Sequence, residues 1–104
     1  MNLAEQHIHG EFSHHPMPSI GRTVHYTNLG DKDGKYPPEI QAAVITGVYE
    51  NVELGLQKAN TIGANVNTRY VDLKVFYRTG LFDTIQVPFS PEPKRGHWNW
   101  PPRV

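Results

Sequence analysis

The stretch YVDLKVFYRTGLFDTIQVPF, residues 70–89, decides how this chain folds. Val71, Leu73, Val75 and Tyr77 fall on one side of an extended backbone, and Asp72, Lys74 and Phe76 on the other. Side chains of a strand alternate with a period of two, so residues 70–77 read as a strand with one apolar face. Arg78-Thr79-Gly80 leaves room only for a tight turn, with Gly80 available for positive φ. Residues 81–89 return as a second strand, ended by Pro88.

The same grammar extends in both directions. In residues 20–27, Ile20, Arg22, Val24 and Tyr26 alternate with Gly21, Thr23, His25 and Thr27, again a strand. Residues 28–38, NLGDKDGKYPP, are turn formers throughout and read as a loop. Residues 40–50, IQAAVITGVYE, are the most apolar run, expected as a central strand buried on much of both faces. Residues 51–69 are ambiguous. Val52, Leu54 and Leu56 alternate, while Gly55, Gly63 and several Asn oppose a helix, so the segment reads as an insertion with partial strand character. After the Pro-stiffened loop SPEPKRG, residues 97–100, HWNW, read as a last short strand stopped by Pro101 and Pro102.

About five short strands and no helix predict an all-β fold, a small antiparallel barrel or roll, with an SH3-like barrel as the most economical version. In such a barrel the last strand pairs back near the first, which gives Trp98 or Trp100 a place at an open end. Residues 19–104 are expected to form this single domain. Residues 1–18 read as an extended, polar, His-rich arm that lacks the apolar residues to hold itself down, so its contacts are expected outside its own barrel.

Composition narrows the function classes. At 104 residues the chain can bury about 65% of its unfolded surface, enough for one modest core. Ten basic and ten acidic residues cancel, which argues against general nucleic-acid binding and against a polybasic membrane anchor. Without cysteine there is no disulfide framework, thiolate zinc site or cysteine nucleophile. No apolar run approaches a membrane span, and no signal peptide is read at the N-terminus.

His7, His9, His14 and His15 could furnish half a metal site, but a His-rich arm more simply reflects composition, so no metal site is expected. Asp31-Lys32-Asp33-Gly34 resembles the start of a calcium loop and lacks the later bidentate Glu. No nucleophile stands with an oriented base in any known spacing, so neither enzymatic activity nor a cofactor is expected. The aromatic and polar set His25, Tyr26, Tyr77, Arg78, Phe82, His97, Trp98, Trp100 and Arg103, with Thr79 of the turn and with Tyr77 the weakest member, is the candidate ligand- or partner-binding surface. Flat rings beside Arg and His suit a planar anion such as a small nucleotide. The same rings, Tyr26, Tyr77 and Phe82 above all, also suit the interior of a small barrel.

The segments GRTVHY (21–26), QAAVITGV (41–48), VDLKVFYRTGLF (71–82), VPF (87–89) and GHWNWPPR (96–103) resemble a family of small uncharacterised proteins of bacteriophages and prophages. Their pattern runs G-R-x-V-H-Y, A-A-I-V-T, V-x-L-x-V-F and G-T-W-H-W-P-E-R. This chain departs at the tail, with His97 before the first Trp, Asn99 between the two, and Pro102 in place of the acid. The resemblance implies a phage origin and a place in the virion or the bacterial host cytoplasm. It leads to the expectation of a non-enzymatic interaction module, first as a virion-associated accessory subunit such as a capsid decoration protein. Its partners would then be itself or other phage proteins, reached through the arm. The alternative is a homo-oligomeric anti-defence protein that sequesters a host nucleotide signal.

Overall fold

The computed structural model describes residues 16–31, 33–59 and 66–102, and among them there are six strands and no helix. They are β1 (Thr23–Thr27), β2 (Ile40–Val52), β3 (Gly55–Ala59), β4 (Val71–Tyr77), β5 (Gly80–Val87) and β6 (Trp98–Asn99). The sheet runs β5-β4-β2-β1-β6, all neighbours antiparallel, with β3 paired to the far half of β2. Its two ends meet. Just beyond β5, Phe89 forms a parallel bridge with Trp98, in which Trp98 N–H donates to Pro88 O and Ser90 N–H to Trp98 O. Without β3, this is a four-strand meander whose fifth strand returns beside the first, the order the expected barrel requires.

The sixth strand comes from the ambiguous stretch. β2 runs on for 13 residues to Val52 and turns through Gly55, at φ +113°, into β3. Residues 60–65, the rest of that insertion, lie outside the described residues, as do residues 1–15 of the arm.

The expectation for β2 needs correcting in its first half. There Gln41, Ala43 and Ile45 are buried while Ala42 and Thr46 are exposed, the alternation of a strand with one face in solvent. Burial on both faces begins only at Val48 and Tyr49, where the β2–β3 hairpin folds over.

Inside the barrel, register stacks the core in rows. Val24, Ala43, Val75 and Phe82 lie in one line across four strands, and Tyr26 beside Gln41 begins the next. Trp98, opposite Tyr26, has no exposed surface. Its indole N–H donates to Arg69 O at 2.7 Å, and its ring meets Phe89 and Trp100 edge-on with centres 4.9 and 5.2 Å away. An indole can be buried when its N–H is satisfied.

Trp100 donates its own N–H to Pro16 O at 3.2 Å and carries the Arg22 guanidinium over its ring. The tail is therefore sewn into the core. The last residues of the arm, with Pro18 buried, rest on their own barrel rather than outside it.

Asp72 departs from the alternation that places it on the outer side of β4, because it is buried. Its carboxylate accepts from Tyr49 Oη at 2.6 Å and from Gln86 N–H at 3.1 Å, and pairs with Lys58 Nζ at 3.0 Å. Two bulges surround it, one on β2 between Ile45 and Gly47 and one on β5 opposite Val71–Leu73. Gly47 is required here: a Cβ would lie 2.8 Å from both Asp72 Oδ2 and Lys58 Cε. The missing side chain lets Lys58 reach across β2 to Asp72.

Candidate functional site

Where β1 and β4 end and β2 and β5 begin, the barrel is open. The inward-facing residues there are Tyr26, Gln41, Tyr77 and Phe82, and loop 28–39 rises beside them. Together they line a concave mouth of about 710 Å³, within the usual range of small-molecule sites. Tyr26 and Phe82 meet edge to face with centres 6.4 Å apart, and Tyr36 adds a further ring from the loop. Burial pushes the Tyr26 phenol up, partly offset by its hydrogen bond with Thr84, so the hydroxyl is protonated at neutral pH.

Loop 28–39 is built to hold its shape. Asn28 Oδ1 accepts from Gly30 N–H and Glu39 N–H, both at 3.0 Å, and Asn28 N–H donates to Glu39 O at the same distance. Asp31 N–H donates to Tyr36 O at 2.8 Å. Gly30 sits at φ +70° with a would-be Cβ only 2.9 Å from Tyr36 O, so only glycine fits without strain. These bonds present Asp31, Tyr36 and Glu39 to the mouth.

Arg78 stands on the β4–β5 turn at the other lip, its guanidinium 5.8 Å from the Tyr77 ring centre. Among the described residues no carboxylate pairs with Arg78, and no cation pairs with Glu39. Gln41 is 8% exposed, and its Oε1 is buried without a hydrogen-bond partner. Most buried acceptors in folded proteins are satisfied, so this oxygen, sealed behind the wall of the mouth, is an exception.

The structure brings Tyr26, Tyr77, Arg78 and Phe82 of the set read from the sequence together in this mouth. Thr79 is exposed on the same turn, beside Arg78, but does not line it. His25 points outward, next to Ala42 and Asn99. His97 Nδ1 lies 2.9 Å from Arg95 O in the loop before β6. Trp98 is sealed in the core and Trp100 stacks against it, both away from the mouth. Arg103 lies outside the described residues. Residues not singled out from the sequence are Asn28, Tyr36, Glu39 and Gln41. Two signals could have found them: an aromatic set in a turn-forming loop before Pro37-Pro38, and a polar residue at an inward position of the most apolar strand.

Among the described residues no group of three or more His, Asp or Glu is placed to hold a metal ion, and no helix is long and apolar enough to cross a membrane. Comparison with protein-family models, curated proteins and solved structures finds no match.

Proposed function

We propose that this protein is a non-enzymatic binding module that captures a small nucleotide in the mouth of its barrel. The observation that carries the reading is the convergence, on a single concave surface, of four aromatic rings and a guanidinium that no described carboxylate pairs with. Rings of Tyr26, Tyr36, Tyr77 and Phe82 offer stacking faces for a base, and Arg78 offers charge-assisted hydrogen bonds to a phosphate. Among the described residues no nucleophile with an oriented base lines the mouth, which supports sequestration over turnover. With the phage resemblance, this is the anti-defence setting.

The test is calorimetry against cyclic and ADP-ribose-type nucleotides, with the ligand analysed afterwards. A binder recovered unchanged fits sequestration. A ligand recovered altered would make the protein an enzyme, and a blank panel would overturn the nucleotide reading.

A virion-associated accessory subunit is the second reading. What favours it is the outer face of the sheet, where the cross-strand pair Phe76 and Leu81 and nearby Ile85 are exposed. Adjacent exposed apolar side chains on one sheet face suit a protein contact. Mass spectrometry of purified particles tests it: the protein present in stoichiometric amounts supports this reading, and its absence overturns it.

A further inference from the structure

Among the described residues β5 pairs with β4 alone. β6 is only two residues long, and the chain leaving β5 meets it at Pro88 and Phe89, past the end of the strand. The far edge of β5, over residues 81–85, therefore presents backbone N–H and C=O groups that no described strand takes up. Natural proteins guard such an edge with proline, lysine or an inward-pointing charge. LFDTI, residues 81–85, contains none of these. Its one charge, Asp83, is already met by Lys74 of β4 at 2.7 Å. Its outer apolar side chains stand in solvent, Leu81 58% and Ile85 69% exposed, and the exposed Phe76 lies opposite Leu81 on β4.

We infer that this edge joins a second copy of the chain, β5 against β5, in a two-fold antiparallel dimer. The strand matches itself. The turn at Gly80 bounds it at one end, and Gln86, at φ +50°, breaks the extended backbone at the other, which leaves residues 81–85 for regular pairing. Full overlap of that stretch with its own reverse puts Asp83 on the axis. Leu81 then lies opposite the second copy's Ile85, and Ile85 opposite its Leu81, at the spacing where cross-strand side chains touch. Phe76, Leu81 and the second copy's Ile85 form one apolar row on the outer face, and the two-fold repeats it. Between the two rows, each Asp83 keeps its own Lys74. A register shifted by two residues either way would set Asp83 against Leu81 or Ile85 and leave apolar side chains unmatched. A strongly charged partner strand finds no opposite charge to hold on this edge, whereas the reversed copy finds an apolar match. The zero net charge of the chain adds no long-range repulsion between copies.

The experiment is sedimentation of the full chain across a dilution series, joined to disulfide cross-linking. The full chain should sediment as a dimer that dissociates on dilution. Ile85→Lys sets an ammonium against the second copy's Leu81 at both ends of the contact. It should weaken dimerisation at least about tenfold and, at an exposed position, leave the fold unchanged. Leu81→Lys, on the facing residue, should do the same. The chain has no cysteine, so an introduced one reports its own position. Asp83→Cys places two thiols opposite each other across the axis, with Cα atoms about 4.5–5.5 Å apart, and oxidation with diamide should link the copies. Leu81→Cys should not link, because the two Leu81 positions are four residues out of step, about 13 Å apart.

A chain that stays monomeric at every concentration would overturn the proposal. So would a dimer that both lysine substitutions leave intact, since another surface must then hold it. Leu81→Cys linking as fast as Asp83→Cys would overturn the register about Asp83.

Discussion

Asp72 sits at a position whose sequence alternation points outward, and its burial follows from what it holds. Hydrogen bonds from Tyr49 and Gln86 N–H and the Lys58 ammonium outweigh the cost of burying the charge, so its carboxyl lies below the usual carboxylate range. A carboxyl with a depressed folded pKa contributes stability that is complete above its unfolded value, about 3.9, and is lost as pH falls through the folded one. Urea midpoints should therefore drop below about pH 4, and Asp72→Asn should flatten that acid limb. Tyr49 behaves in the opposite sense. Burial first, then the hydrogen bond and charge of Asp72, push its phenol up to about 12. Its contribution is complete below about pH 10 and disappears as pH climbs toward 12. At the same cluster, Gly47→Ala forces a methyl against Asp72 and Lys58 and should cost about 1–3 kcal/mol in chemical denaturation.

At the scale of elements, β6 is only two residues long, yet it joins the sheet to itself and carries the largest fully buried side chain. Trp98→Ala should cost about 3–5 kcal/mol, and a chain ended after Pro93 should lose at least as much. If either melts like the full-length protein, closure through β6 is not what holds the barrel. Loop 28–39 is the other element on which the proposed binding depends. Asn28→Ala removes the acceptor shared by Gly30 and Glu39 N–H groups, so it should weaken nucleotide affinity by more than it lowers the melting temperature would suggest.

The strands were legible because period-two alternation marks β1 and β4 and the tight turn at Arg78-Thr79-Gly80 sends β5 back beside β4, and closure was legible because two tryptophans in a tail need somewhere to go. β3 was not, because Gly55 and the Asn-rich segment weaken every local signal and only pairing with the long β2 decides its state. Asp72 was not, because its burial depends on a glycine 25 positions earlier in the chain.

For the whole molecule, the proposed function makes one end of the barrel the binding site and leaves the tail out of it. The aromatic set read from the sequence divides between two tasks. Tyr26, Tyr77 and Phe82 face the mouth, and Trp98 and Trp100 fill and brace the interior near the arm. Sequence spacing cannot divide them, since Tyr26, Tyr77, Phe82 and Trp98 all lie at inward positions of their strands and Trp100 follows Trp98 at the same spacing of two. Charge divides the surface further: Arg78 stands free of any described carboxylate, so Arg78→Ala should leave stability unchanged and weaken nucleotide binding by about 10- to 100-fold, the worth of one charge-assisted contact. The deciding measurement is an amide-resolved NMR titration with adenosine and guanosine monophosphates. Shifts should concentrate at Tyr26, Gln41, Tyr77, Arg78, Phe82 and loop 28–39, with Trp98 and Trp100 indole signals nearly still. Shifts centred on the tail, on the outer Phe76–Leu81 face, or nowhere would contradict the proposed site.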